Sequence, residues 1–499
     1  MHDFFERFFE RYPNKSIRLL EIIPPLIALF FVTAPFWGSF FFPVWLAYFI
    51  IFFDVYWLYK SVNLVITSWI AARKIHKAEK IDWLKEAEKL PNFEKVTHLI
   101  VIPSYKESIE KISLTLESIK KQTFPGDRMF LYLALEKRED NVEEKAKKLQ
   151  RKYKSVFGGF YYTLHPDLPH EVKGKSSNQA YAARDAYKEL IQKREIDIDY
   201  MSVSSVDADV LFDRQFYAYL GHAFLKSEDP HYTFWQSANV NYNNFWKVPS
   251  FTRIISFFGS LWRTSILVQR VRLIPNSVYS LSFKLLHDLD YWDTDVIPED
   301  YRIFFKAYFR TKGRVVVEPI FLKTSMDAAE SHSYVKSLMN KFYQERRWSW
   351  GISDDALYVK WYLTVKGVPF FRKTLLVLNV LIDHILWPVN WFIITISANA
   401  VVILNPVFSR TSLGYTLPQL SGFILTLCLF SLVGMIYVDY TMRSRSSFAK
   451  QSRIRQFLFP LEFLFMPIGG FLLSALPALL THIQLILGKR MEYKVTDKV

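Results

Sequence analysis

"DYMSVSSVDADVLFD", residues 199 to 213, is an apolar run that ends in two carboxylates flanking one small residue, Asp207 and Asp209. Two related runs precede it. "VTHLIVIPSYKES" (Val96 to Ser108) reads as an apolar strand ending in Pro and Ser, with a helix expected to begin near Ser108. "RMFLYLALEKRED", which contains Glu136, reads as a second strand ending in acids. Strands alternating with helical patterns predict an α/β domain with a mostly parallel sheet. Ligands of such sheets sit at the carboxyl ends of the strands, so acids there are candidates for a site.

The rest of the 499-residue chain is unusually apolar around this domain. Hydrophobic residues make up 51% and aromatic residues 17%, with 14 Trp and 44 Phe, which fits a chain partly in lipid. Apolar runs cluster at the two ends. The first two, about Ile22 to Phe40 and Phe42 to Ile66, are each long enough to cross a hydrocarbon core. The acids and aromatics before them do not form a cleaved signal peptide. Three more follow, at about Ile382 to Leu404, Leu420 to Val438 and Phe457 to Leu487. The expected organisation is two spans in 1–70, an inserted domain in 71–373, more spans in 374–488, and a tail in 489–499.

The Lys/Arg distribution predicts orientation. "AARKIHKAEK" follows the second span and "RSRSSFAKQSRIR" follows the fourth, so the inserted domain is expected in the cytoplasm, with the spans in the plasma (inner) membrane. The tail "GKRMEYKVTDKV" is basic too. The last run is then expected to enter and leave on one side, as a hairpin turning near "MPIGG" (Met466 to Gly470). A single tilted span is the competing reading.

The net charge of +15 allows nucleic acid, anionic headgroups or phosphorylated substrates as partners. Nucleic acid is disfavoured, because the basic residues flank apolar runs and form no recognition motif. The single cysteine, Cys428, excludes a disulfide framework or a Cys-based zinc site.

Three further segments carry chemistry. Two carboxylates as close as Asp207 and Asp209 repel unless they share a cation, and hard oxygens suit Mg²⁺ or Mn²⁺ shared with substrate phosphates; a solvated turn is the alternative. In "YWDTDVIPEDYRIFFKAYF", Glu299 and Asp300 precede an amphipathic helix, where they either cap it or supply a general base. In "QERRWSWG", Gln344, Arg347 and Trp348 share a helix face. Arg suits a diphosphate and Trp the apolar face of a sugar, although an Arg/Trp belt at a membrane surface has the same composition.

In order and spacing, strand-"IPSYKE", "KGKSSN", "DAD", "PED" and "QERRW" resemble the family 2 inverting glycosyltransferases, and most of all the membrane-embedded synthases of the cellulose, chitin and hyaluronan type. The resemblance covers roughly residues 95 to 352 and the flanking spans. It implies a GT-A-like domain and transfer of a sugar, most often from a UDP-sugar, with inversion. It implies Asp300 as the base and Asp209 and Asp207 as metal ligands. It also implies nucleotide and diphosphate contacts from Ser104, Glu107, Glu136, Lys175, Gln344 and Arg347, with Trp348 and Glu299 at the acceptor. "YKVTDK" resembles a gating-loop motif of cellulose synthases and implies that Thr496 and Lys498 cover the nucleotide. Two departures stand out. Pro298 replaces the family's Thr in Thr-Glu-Asp, and Glu136 stands where an Asp pair is usual.

"FTRIISFFGSLWRTSILVQRVRLIPN" is expected to form an interface helix. Asp54, Asp383, His384, Asn390 and Glu462 are costly in lipid and are expected to face a cavity or a partner. A growing polysaccharide moved across the membrane is the preferred acceptor, and a membrane lipid given a single sugar is the alternative. A transporter or scaffold with a degenerate domain is disfavoured because the acidic, Arg and Trp positions are all filled. Donor sugar, linkage, choice of metal and oligomeric state are not set by the sequence.

Overall fold

The computed structural model describes residues 2–444 and 453–491. An eight-stranded sheet organises the region between the second and third long apolar helices. Its strands are β1 (Thr97–Ser104), β2 (Met129–Glu136), β3 (Gly159–His165), β4 (Met201–Ser205), β5 (Leu211–Phe212), β6 (Thr233–Val240), β7 (Tyr279–Ser282) and β8 (Val316–Ser325), in the order β3-β2-β1-β4-β7-β6-β8-β5. The β3, β2, β1 and β4 strands are mutually parallel, as are β6 and β8, while β7 and β5 pair antiparallel. The sheet is therefore mixed and mostly parallel, the α/β architecture that the strand–helix alternation predicts.

The first strand explains its own burial. Every residue of β1 is buried, as expected for a strand covered on both faces. Leu99 and Val101 join a core with Ala180 and Ala183 on one side, while Ile100 and Ile102 join Ile112 and Leu116 on the other. This is the period-two alternation of a strand between two helical layers. Ser108 caps the helix Ile109–Lys120 by accepting from the Lys111 N–H at 3.1 Å, where the sequence predicts a helix start.

Among the described residues five helices are long and apolar enough to cross a membrane: Pro13–Phe41, Pro43–Ala78, Phe370–Leu404, Ser412–Arg443 and Ile454–Ile486. They match the five expected apolar runs and extend beyond them. The expected interface helix is Ser250–Ile266. Its Phe257 packs on Phe459 and Phe463, and its buried Arg253 pairs with Glu462 at 2.5 Å.

The last apolar run corrects one expectation. Met466–Gly470 is helical rather than a reversing turn, and Ile454–Ile486 follows a helical path interrupted by a 3-10 turn at Phe463–Phe465. Close packing explains the glycines there: a Cβ on Gly469 would lie 2.9 Å from the Phe251 ring, and one on Gly470 2.1 Å from Trp391. Both ends of the run nevertheless lie against the sheet-bearing region. Phe459 packs on Phe245 and Trp246, and Leu485 clusters with Ile297, Trp350 and Ile352. Arg18, on the first long helix, donates to the carbonyls of Leu485 and Ile486 at 2.8 and 2.6 Å. These carbonyls belong to the last turn of a helix, where a cation is favoured. The basic stretch 445–452 and the tail from residue 492, including Thr496 and Lys498, lie outside the described residues.

Candidate active site

Lys175 is the centre of the site. Gly174, at φ +147°, turns the chain into the helix Lys175–Ala186, a conformation that favours glycine. From the first position of that helix the Lys175 ammonium reaches Asp207 Oδ1 and Glu299 Oε1, each at 2.9 Å, and donates to the Ser277 carbonyl at 2.8 Å. The "KGK", "DAD" and "PED" segments thus meet on one cation. Burial works to discharge Lys175, and the Asp207 and Glu299 carboxylates overcome it, holding the amine well above its ordinary range.

Asp300 is held by the backbone. Its Oδ2 accepts from the Ser277 N–H at 3.0 Å and its Oδ1 from the Tyr301 N–H at 2.9 Å. Ser277 adopts a left-handed backbone at φ 52° and so presents its N–H to Asp300 and its carbonyl to Lys175. Burial pushes the Asp300 carboxyl above its ordinary range, against the pull of the Ser277 hydrogen bond. Burial also raises Glu299, with Lys175 opposing and Asp300 adding to the shift. Glu299 and Asp300 open the helix Glu299–Arg310, so position at a helix start and proximity to a cation coexist.

The two acids of "DAD" have different surroundings. Asp207 lines the cavity described below. Asp209 is 3% exposed, is not among the cavity-lining residues, and accepts the Asp327 N–H on Oδ2 at 3.1 Å. One oxygen of Asp209 thus ties the end of this segment to the Asp327 backbone. Among the described residues no group of three or more His, Cys, Asp or Glu side chains is arranged to hold a metal ion. A divalent cation still fits the chemistry present. Mg²⁺ is commonly held by one or two carboxylates and completed by substrate phosphates, and Asp207 offers a hard oxygen at the cavity wall.

At the ends of β1 and β2, Glu107 Oε2 accepts from Ser104 Oγ at 2.8 Å and from the Tyr105 N–H at 2.6 Å. Glu136 is buried and pairs with Arg138 at 2.6 Å, and the Arg138 guanidinium lies 4.0 Å from the Tyr105 ring centre. Arg347 and Trp348, on the helix Tyr334–Ser349, line the same cavity. Gln344 does not; its Oε1 accepts from Lys341 at 3.0 Å, and the Lys341 ammonium sits 4.5 Å from the Trp348 ring centre. Gln344 and Glu345, which pairs with the same ammonium at 2.7 Å, therefore hold Lys341 beside Trp348.

The cavity has a volume of about 1030 Å³, and its wall combines Ser104, Glu136, Asp300 and Trp348 with residues of the long helices such as Asn390 and Thr426. The polar residues of the long helices sort between the two expected outcomes. Asp383, His384 and Asn390 line the cavity. Asp54 and Glu462 each have a partner on one oxygen, Ser421 Oγ at 2.6 Å from Asp54 Oδ2 and Arg253 at 2.5 Å from Glu462 Oε1. Ser277, Tyr301 and Arg138 are site residues that the sequence reading does not single out; Ser277 is ordinary in type, and only its backbone geometry makes it a hub.

No family model matches the chain, and no curated protein matches it by sequence. Solved structures with a similar course include the mannosyltransferase PcManGT from Pyrobaculum calidifontis, in complex with GDP-Man and Mn²⁺. It is 16% identical, with a TM-score of 0.42, over 74% of this chain and 99% of that one. Another is S. aureus TarS 1–349 with UDP-GlcNAc, 14% identical, with a TM-score of 0.34, over 81% of this chain and 95% of that one. These likenesses are distant, and the chemistry of the site rests on the chain's own residues.

Proposed function

We propose that this chain is an inverting, metal-dependent family 2 glycosyltransferase of the membrane synthase type. In this reading it transfers a sugar from a nucleotide-sugar, a UDP-sugar, to a growing polysaccharide that passes into the bundle. The observation that carries the reading is the placement of Asp300. It is a half-buried carboxylate of raised pKa, held by two backbone N–H groups, beside Asp207, Glu299 and Lys175 in the wall of a cavity that is also lined by residues of the long helices.

The acceptor hydroxyl attacks C1 of the donor sugar from the face opposite the diphosphate. The new bond joins the acceptor oxygen to C1, the C1–oxygen bond to the diphosphate breaks, and the acceptor proton passes to Asp300. The bonding pair departs with the nucleoside diphosphate. Arg347 holds that developing charge; preorganised groups of this kind are commonly worth ~3 kcal/mol each. Lys175 bridges Asp207 and Glu299 and holds them in place. Asp207 would be the carboxylate ligand of Mg²⁺ or Mn²⁺, which when bound supplies positive charge to the leaving diphosphate. Ser104, Glu107 and Glu136 border the nucleotide, and Trp348 stacks on the acceptor sugar. The catalytic domain faces the cytoplasm in this reading, where nucleotide-sugars are made.

A second reading is single transfer to a membrane lipid. Leu425, Leu429 and Leu432 line the far part of the cavity and suit an acyl chain. Nucleotide release by the protein in nanodiscs, screened over UDP-sugars with sizing of labelled product, separates the two. Long product that depends on Asp300 supports the synthase, lipid-sized product supports single transfer, and no Asp300-dependent release with any nucleotide-sugar rejects both.

A further inference from the structure

His384 stands in the wall of the cavity, on the long helix Phe370–Leu404, and the mechanism above makes no use of it. Its Nδ1 lies 2.8 Å from Oδ1 of Asp355, the first residue of the helix Asp355–Thr364. Asp355 is fully buried and His384 is 7% exposed. A carboxylate on one ring nitrogen orients the imidazole and leaves the other nitrogen for a second partner. Among the described residues Nε2 has no hydrogen-bond partner. Asp355 Oδ2 has none either. Buried polar atoms are ordinarily satisfied, and an exception calls for a reason. A contact that merely joined two helices would not need a ring with an open nitrogen at a cavity wall.

Two observations put this nitrogen beside the transfer point. The first is the space left by Gly351, which also lines the cavity. A Cβ there would lie 3.2 Å from His384 Nε2 and 3.9 Å from Pro298 Cγ. The imidazole and the residue that precedes Glu299 and Asp300 thus border one small gap. The second is a shared brace. Arg302, on the helix that carries Asp300, donates to both oxygens of Asp354, at 2.6 and 3.0 Å. The next residue, Asp355, holds His384. Consecutive carboxylates of one segment therefore fix both the Asp300 helix and the imidazole. That segment follows directly on the helix of Arg347 and Trp348.

We propose that His384 is an acceptor-binding residue positioned by Asp355: its Nε2 hydrogen-bonds a hydroxyl of the terminal acceptor sugar and so turns the attacking hydroxyl toward Asp300. This rests on the glycosyl-transfer reading above and adds a contact to its acceptor. A sugar hydroxyl both donates and accepts, so it serves the lone pair of a neutral ring or the N–H of a charged one. Water, the competing nucleophile, needs no such orientation. A fixed group that holds the sugar therefore favours attack by the acceptor over hydrolysis of the donor.

The test measures that partition with the full chain in nanodiscs, using the nucleotide-sugar that the unaltered protein turns over. Labelled sugar is counted as glycosidic product, long or lipid-sized, and as free sugar, formed when water attacks C1 and the nucleoside diphosphate leaves. In His384→Phe the ratio of product to free sugar is expected to fall by at least about tenfold, the worth of one hydrogen bond to the substrate. In His384→Gln, whose amide can reach the position of Nε2, most of the ratio is expected to return. In Asp355→Asn, which loosens the ring, a fall of about threefold is expected. The ratio does not depend on how much of a preparation is folded, so inactive protein cannot imitate the effect. An unchanged ratio in His384→Phe, or in Asp355→Asn where the first variant does not fold, overturns this proposal alone. So does an equal loss of product and free sugar in both His384 variants at an unaltered melting profile, which assigns His384 to the chemistry itself. No release of nucleotide by the unaltered protein with any nucleotide-sugar overturns the proposal together with the transfer reading.

Discussion

The ammonium of Lys175 lies 2.9 Å from Asp207 Oδ1, so the first residue of one helix is tied to the turn that follows β4. The same ammonium reaches Glu299. Lys175→Met leaves the buried Glu299 and the half-buried Asp207 without their cation, and breaking a buried pair costs about 3–5 kcal/mol. The variant is expected to unfold at a clearly lower temperature, with Lys175→Arg in between. An unchanged melting profile for Lys175→Met would show that the cluster is not held by this cation.

Asp300→Asn keeps the shape of the side chain and removes the proposed base. Donor turnover is expected to fall by about 10²–10⁴-fold, the usual worth of a general base, with the donor KM within about threefold of its starting value. Steady-state kinetics with the preferred nucleotide-sugar decide it. A proportionate rise in KM with kcat unchanged would move Asp300 from chemistry to binding.

The pH profile follows from burial. Burial raises both Asp300 and Glu299 above ordinary carboxyls. The base acts when deprotonated, so the rate is present above the raised pKa and is lost as pH falls through it. The acid limb of donor turnover is therefore expected above the ordinary Asp value of about 3.9. Lys175→Met removes a lowering influence on both groups and is expected to move the limb further up. A limb at or below the ordinary value would mean that the carboxyls are solvated during turnover.

Metal dependence separates the two acids of "DAD". Chelation with EDTA is expected to abolish turnover, and Mg²⁺ or Mn²⁺ to restore it. Asp207→Asn, at the cavity wall, is expected to raise the metal concentration for half-maximal rate by about tenfold or more. Asp209→Asn, behind the wall and bonded to the Asp327 N–H, is expected to act more through stability. The opposite ranking in a metal titration would place Asp209 at the ion.

Much of this site is legible in the sequence because its parts are local. The β1, β2 and β4 runs carry their apolar pattern in consecutive residues, and Glu136, Asp207, Glu299 and Asp300 stand at element ends that capping and strand rules locate. What joins them is not local. Ser277 becomes a hub through one left-handed backbone angle, which "IPNS" does not advertise. The division between Asp207 and Asp209 depends on the distant Asp327 turn. "MPIGG" has the residues of a turn, yet its glycines serve close packing on Phe251 and Trp391, a demand set by other helices. The pairing of His384 with Asp355 joins two separate elements, and residue type alone does not reveal it.

Arg18 and the Leu485 carbonyl are separated by 467 residues of chain. During synthesis the first long helix therefore exists well before the partner that receives its arginine. The larger core of the sheet is completed late as well, because Leu376, Val380, Met435 and Phe459 of the long helices belong to it. The bundle cannot close until Ile486 has been made. The first long helix thus carries a cation whose acceptors are supplied by a segment made much later, so this contact is among those that synthesis leaves open longest.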